Sequence, residues 1–240
     1  MKKLLASAAL CLILTLFAST LASGDGLKGR FAFTGMGHLG LPLGDFAGEK
    51  KGMARTGYGF GLNLEYFLSD NLALGGSFSY LAFGSKTDHF EEDIQLILYQ
   101  KLQRWYEVDA DVKQELSNFG VFGKYLISPY SRTCPYAKFG MGLGKYSLTG
   151  DARVDGLNAE ANASFDSEFY VNIGPGIHYR ASDDVAFVFE VTYVQVFTDE
   201  AKSEAVITAG TYTLEEDFRL NSDAQYFGVY AGASFFFGGR

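Results

Sequence analysis

The chain has 240 residues, with 28 acidic against 20 basic side chains and a formal net charge of −8. That balance argues against the basic surface that nucleic acid requires and against a polybasic patch for anionic lipid. Its 29 Gly, 22 Phe and 15 Tyr, with only 4 Pro, suit a chain of many twisted strands.

The N-terminus reads as a processing signal. Lys2 and Lys3 form a basic start, Leu4 to Phe17 is apolar, and Ala18-Ser19-Thr20-Leu21-Ala22 supplies small residues for cleavage after Ala22 or Ser23. This predicts a signal peptide over residues 1–23 and one exported domain over residues 24–240. The apolar run is too short for a transmembrane helix. A lipid anchor is not expected, because Cys11 lies inside that run and follows Leu10, where a small residue would be needed. Losing Lys2 and Lys3 makes the remaining chain still more acidic. It leaves Cys134 as the sole cysteine, read as a free thiol in a short turn, so no internal disulfide can form.

No later stretch resembles a membrane helix, but barrel strands alternate and average out in hydropathy. Eight alternating segments follow in order, at about 29–41, 55–68, 71–84, 116–128, 135–148, 165–180, 184–197 and 225–237. Three connections are short and rich in turn formers: Ser69-Asp70-Asn71, Pro129 to Cys134, and Ala181-Ser182-Asp183-Asp184. The other four, Pro42–Ala54, Ser85–Glu115, Thr149–Ser164 and Thr198–Ala224, are longer. Short turns at one end and long loops at the other describe an up-and-down membrane barrel, with the short turns on the periplasmic side. Tyr58 to Leu68 would extend roughly 36 Å at about 3.3 Å per residue. Tilted by about 45°, that covers roughly 25 Å, the height of an outer-membrane apolar band.

The two faces of each segment differ sharply. Tyr58, Phe60, Leu62, Leu64, Tyr66 and Leu68 share one face, and Gly59, Gly61, Asn63, Glu65 and Phe67 the other. In the last segment Phe227, Val229, Ala231, Ala233, Phe235 and Phe237 oppose Tyr226, Gly228, Tyr230, Gly232, Ser234 and Phe236. The second face collects Arg30, Glu65, Lys124, Lys138, Glu168, His178, Arg180 and Glu190. A small soluble core does not tolerate so many ions, each costing several kcal/mol unless well paired. This disfavours a lipocalin-like soluble barrel. It favours a closed barrel with lipid outside and a polar, ion-paired lumen, in which no backbone amide is left orphaned in the bilayer. Pro175, between Gly174 and Gly176, predicts a bulge or local kink.

The second long connection carries its own pattern. Asp88 with Glu91 forms a capping box, and Phe90, Ile94, Ile97, Leu98, Leu102 and Trp105 recur at helical spacing. An amphipathic helix over about 89–105 is predicted, lying on the barrel mouth or on the outer-leaflet head groups. Strand extension is the alternative, because Ile94, Leu96 and Leu98 also alternate.

With these features the chain resembles the small outer-membrane β-barrel proteins, the group around OmpX, OmpW and the membrane domain of OmpA. The resemblance is carried by the leader, the opening strand Phe31-Ala32-Phe33-Thr34-Gly35-Met36-Gly37, and two strand–turn–strand units, Gly61 to Gly75 and Gly174 to Phe187. It implies an all-β, eight-stranded antiparallel barrel in the Gram-negative outer membrane, a monomer in contact with lipid and lipopolysaccharide. It also implies that the barrel-assembly machinery reads the terminal strand through Phe235 and Phe237. Gly238-Gly239-Arg240 follow Phe237, whereas family members often end on the aromatic itself. Likeness to OmpW implies, as an alternative, a narrow path or binding site for small hydrophobic molecules.

No catalytic constellation is legible. Barrel enzymes acting on lipid need a Ser nucleophile, a His base and an orienting acid. The three histidines, His38, His89 and His178, have no such companions. The clusters Glu91-Glu92-Asp93, Asp109 with Asp111, and Glu215-Glu216-Asp217 could gather divalent cations but read more simply as solvated loop carboxylates. No cofactor is expected. Side chains nearly fill an eight-stranded barrel, so the lumenal ions are read as a salt-bridged plug rather than an ion path. The role expected is non-enzymatic, in envelope structure or in surface contact through four outer loops.

Overall fold

The computed structural model describes residues 26–48, 54–85, 91, 95, 99, 108–154, 157–197, 201–209, 212–220 and 223–238. The segment 1–23 predicted to be a leader, with Cys11, and His89 lie outside these residues. The described chain forms β1 (Phe31–Pro42), α1 (Gly44–Ala47), β2 (Ala54–Phe67), β3 (Leu72–Ser85), β4 (Val108–Leu126), β5 (Thr133–Val154) and β6 (Leu157–Arg180). It continues through β7 (Val185–Val196), β8 (Ala201–Ala209), β9 (Tyr212–Leu220) and β10 (Ala224–Phe237).

Eight strands, β1–β7 and β10, close into an antiparallel up-and-down barrel. Each pairs with its chain neighbour, β7 pairs with β10, and β10 pairs with β1 from Phe31↔Phe237 to Pro42↔Tyr226. Period-two alternation decides which way each strand faces. In β2 the burial pattern alternates from Phe60 to Phe67, and Tyr58, Phe60, Leu62, Leu64 and Tyr66 are all exposed on the outside. Phe119 and Val121 on β4, Phe139, Met141 and Leu143 on β5, and Phe187 and Phe189 on β7 continue this apolar belt. Phe237 stacks on Phe31 at 5.8 Å and Phe31 meets Tyr66 at 4.8 Å, so aromatic rings cover the β10–β1–β2 seam at its inner rim.

The three short connections share one end with the start of β1 and the end of β10. Asp70 ties this rim together. It accepts the Lys28 amide at 2.9 Å and the Tyr130 hydroxyl at 2.6 Å. These two donors, the hydroxyl foremost, hold its carboxyl below the usual range. Asn71 Nδ2 donates to the Leu126 carbonyl at 2.7 Å, linking two turns.

Four expectations need correction. Strands β4, β5 and β6 run well past the predicted outer ends at 116, 148 and 165. The predicted loop 198–224 contains the hairpin β8–β9, which joins the outer part of β6 from Ala159↔Ala209 to Asn162↔Val206. At Pro175 the register does not shift. Pairing to β7 lapses at Gly174 and Pro175 and resumes unchanged, while pairing to β5 is continuous. Because Pro lacks only its own N–H, a lost ladder bond suffices there. Shifts occur instead between Ala54 and Gly57 and between Lys145 and Ser147. Cys134 lies not in a turn but buried inside β5.

Candidate functional site: a filled lumen and the sheet beyond it

Inside the barrel, strand parity brings ions of both signs together. Lys124 Nζ donates to Glu65 Oε1 at 2.6 Å, with side-chain exposures of 1% and 0%. The same Nζ lies 3.4 Å from His178 Nε2 and 4.6 Å from the Tyr136 ring centroid. Lys138 donates to Glu190 at 2.9 Å, and the Tyr136 hydroxyl donates to the other oxygen of that carboxylate, also at 2.9 Å. Thr34 donates to Glu65 at 3.3 Å and shares a 2.6 Å hydrogen bond with Ser234 across the closing seam. Five predicted lumen residues, Glu65, Lys124, Lys138, His178 and Glu190, thus form one connected layer. Glu190, bonded at both oxygens, meets the condition on which buried charge is tolerable, whereas Glu65 takes Lys124 and Thr34 on one oxygen and its other oxygen has no partner among the described residues.

Glycines make room for the rings in this layer. A Cβ at Gly176 would lie in the Tyr136 ring, one at Gly75 against Phe122, and one at Gly228 between Tyr230 and His38. His38 stacks on Tyr230 at 3.9 Å, and its two nitrogens make no hydrogen bond among the described residues.

An apolar layer closes the outer mouth. Leu43 N donates to the Gln225 carbonyl at 2.8 Å, and Gly44 adopts φ +53°, a left-handed turn natural to glycine. The connection therefore folds inward and buries Phe46 completely, edge-on to Phe83 at 5.1 Å and to Tyr146 at 6.3 Å. Leu81, Leu116, Tyr170, Val194, Val196 and Tyr226 complete the layer. Sequence reasoning missed Phe46, because one aromatic in a glycine-flanked connection has no periodicity.

The remaining predicted residues stand elsewhere. Arg30 and Arg180 are at the inner rim. Arg30 pairs with Asp184 and also donates to the Asp183 carbonyl at 2.8 Å. The Arg180 amide donates to the Arg132 carbonyl at 2.8 Å, and the Arg132 Nε donates back to the Arg180 carbonyl at 3.3 Å. Glu168 is half-buried toward the outer end of β6, opposite Gly144. Phe235 and Phe237 point outward. Of the predicted helix, Glu91, Gln95 and Tyr99 are described and helical. Phe90, Ile94, Ile97, Leu98, Leu102 and Trp105 lie outside the described residues.

Beyond the mouth the wall continues as an open sheet. On β4 the outward face changes from Val121 and Phe119 to Lys113, Asp111 and Asp109, while Leu116, Gln114 and Val112 stay buried. On β5 it changes from Met141 and Leu143 to Lys145 and then Thr149. Charged outward positions mark where lipid ends. The stretch of β5 from Lys145 to Val154 is roughly 30 Å long at about 3.3 Å per residue, and at a tilt of about 45° it rises roughly 20 Å beyond that level. The hairpin β8–β9 widens this sheet beside β6. Among the described residues, no group of three His, Cys, Asp or Glu side chains converges as a metal site.

A family model described as the outer membrane protein beta-barrel domain matches residues 8–215. Among solved structures, a major outer membrane protein from Thermus thermophilus is similar with a TM-score of 0.55 at 11% identity, covering 86% of this chain and 99% of that one. Neisserial surface protein A gives 0.49 at 13% identity, covering 88% and 99%. The outer membrane protease OmpT from Escherichia coli gives 0.48 at 10%, covering 91% and 100%. No curated protein matches the sequence.

Proposed function

The chain belongs to the outer membrane protein β-barrel family, and on that premise we propose that it is a non-enzymatic surface protein whose projecting sheet makes the functional contacts. The observation that carries this reading is the change of outward face on β4 and β5 while their ladder continues. A sheet of that length, held off the membrane by a rigid cylinder, is a platform for contact rather than a turn between strands. The filled lumen supports the same reading, because two buried ion pairs and the Phe46 layer block the axis. The leader is removed on export. The monomer sits among phospholipid and lipopolysaccharide, and the assembly machinery engages the strand that ends in Phe235 and Phe237.

The test is to shorten β5–β6 and β8–β9 by deleting 149–162 and 199–222. Adhesion of expressing cells to coated surfaces is then compared with the full chain, and heat-dependent gel mobility confirms the barrel. Loss of adhesion with a folded barrel supports the reading, and undiminished adhesion refutes it. A second reading, binding of a small hydrophobic molecule at the outer mouth, is favoured by the layer around Phe83, Tyr146 and Tyr226, which Phe46 covers. It requires that Phe46 move. Conductance or uptake that is unchanged by Gly140→Trp would count against it.

A further inference from the structure

Residues 26–30, just before β1, build a second structure at the inner mouth. The Arg30 amide donates to the Leu27 carbonyl at 3.0 Å, closing a tight turn, and Gly29 inside it takes φ +80°. A side chain there would be strained, so the turn depends on glycine. The turn is bound to the end of β2: Gly29 N donates to the Phe67 carbonyl at 2.8 Å, and Phe67 N donates to the Arg30 carbonyl at 2.9 Å. Lys28 N donates to the Asp70 carboxylate at 2.9 Å. A Cβ on Gly26 would collide with that same carboxylate, so the bare backbone rests against Asp70.

These bonds deliver Leu27 to a place that the wall leaves open. Leu27 is buried within the apolar cluster at the inner end of the lumen. Wall residues of that cluster come from lumen-facing positions on different strands. Phe67, Leu126 and Phe236 are large, whereas Ala32, Ala73 and Ala186 are small. The alanines leave the middle of the floor to a side chain from elsewhere, and Leu27 is the member of the cluster that no wall strand carries. Close packing favours such a filler, because a gap forfeits the contacts of everything that lines it. Cys134 of β5 is buried in the same cluster.

We propose that residues 26–30 are an inner latch: Asp70 holds the turn, the turn holds Leu27 in the floor, and release of the turn opens the lumen to the periplasm while the wall stays closed. The paired registers of β1 begin only at Phe31, so the latch can let go without breaking a strand of the barrel. What it gives up is a few hydrogen bonds and one apolar side chain. Phe46 closes the outer mouth in the same manner, from a connection rather than from a wall strand. The ionic layer therefore lies between two covers, each of which can move without the wall. The latch is independent of the outer sheet and stands whether or not that sheet makes contacts.

Cys134 serves as the reporter. The test follows its reaction with a small membrane-impermeant thiosulfonate in detergent, on barrels shown to be folded by unboiled gel mobility. Reaction of a buried group follows the population of the open state, so Gly26→Val, which pushes the turn off Asp70, should speed labelling by about tenfold. Leu27→Ala should do the same, whereas Phe46→Ala, at the other mouth, should leave the rate unchanged. If Leu27→Ala does not fold, Gly26→Val decides alone, because it alters neither the wall nor the floor. Acceleration by Leu27→Ala without acceleration by Gly26→Val would mean that Leu27 fills the floor with no hold from Asp70, and would overturn the latch. Equal rates in the wild type and both inner variants would overturn it as well. So would a rate raised as much by Phe46→Ala as by the inner variants, since the reagent would then arrive through the outer mouth.

Discussion

Substituting Glu65 by Gln keeps the side chain's shape and its acceptor for Thr34 but removes the charge that Lys124 faces at 2.6 Å. Lys124 is 1% exposed and cannot reach water. Its remaining neighbours include His178 and the rings of Tyr136 and Phe122, and a cation–π contact returns only about 0.5–2 kcal/mol. Breaking a buried pair from one side costs about 3–5 kcal/mol, because an uncompensated ion stays behind. At about 1.36 kcal/mol per decade, the folded-to-unfolded ratio falls by roughly two to four decades. Adding Lys124→Met removes the stranded charge and should restore stability to within about 1 kcal/mol of wild type, since buried pairs replaced by apolar groups are often neutral. The assay is urea unfolding in micelles, followed by unboiled gel mobility and near-ultraviolet circular dichroism. A Glu65→Gln loss within about 0.5 kcal/mol of zero, the range of an ordinary surface change, would refute the reasoning. So would a double mutant that loses the sum of the two single effects.

Phe46→Ala should open the outer mouth: a cysteine placed at buried Leu81, with Cys134 replaced by Ala, should react at least tenfold faster with a membrane-impermeant maleimide than it does behind Phe46. An unchanged labelling rate would mean that the other rings seal the mouth alone. Asp70 has a depressed folded-state value, so its contribution is complete above the ordinary 3.8 and fades as pH falls through the folded value. Wild type should therefore lose urea resistance below about pH 4 slightly more steeply than Asp70→Asn. The difference is small because the group is near solvent and screened. Gly176→Ala should push the Tyr136 ring away from Glu190 and cost about 1–3 kcal/mol. A neutral result would show that the ring can turn aside freely.

The barrel was legible because lipid outside and ions inside impose opposite demands on alternate residues, and eight segments obey both. Alternation put Glu65, Lys124, Lys138, His178 and Glu190 on one face, and that face is the lumen. Parity says nothing of height along the axis, so Arg30 and Arg180 at the inner rim and Glu168 near the outer end fell into the same set. Above the membrane the rule inverts. Asp109, Asp111 and Lys113 face outward into water, and a strand with charges where lipid residues are expected reads as loop. Hairpin β8–β9 was hidden for a related reason. Glu215-Glu216-Asp217 suggests a solvated loop, and the pairing of β8 with Ala159–Asn162 of β6 is a tertiary fact. Its local signal was the β-branched run Val206-Ile207-Thr208, followed by Gly210-Thr211.

The hydrogen bond between Thr34 and Ser234 joins residues 200 positions apart. Every other wall contact between chain neighbours can form within a hairpin, but this seam waits for the last strand. Until β10 arrives, β1 and β7 each expose an unpaired edge of amides and carbonyls, open to any stray chain. Long-range closure of this kind is slow, since the entropy of bringing distant segments together is lost before any ladder bond repays it. The molecule's most hazardous interval is therefore kinetic. A helper that shields the edge of β1 changes how many chains arrive, and leaves the finished cylinder as it is.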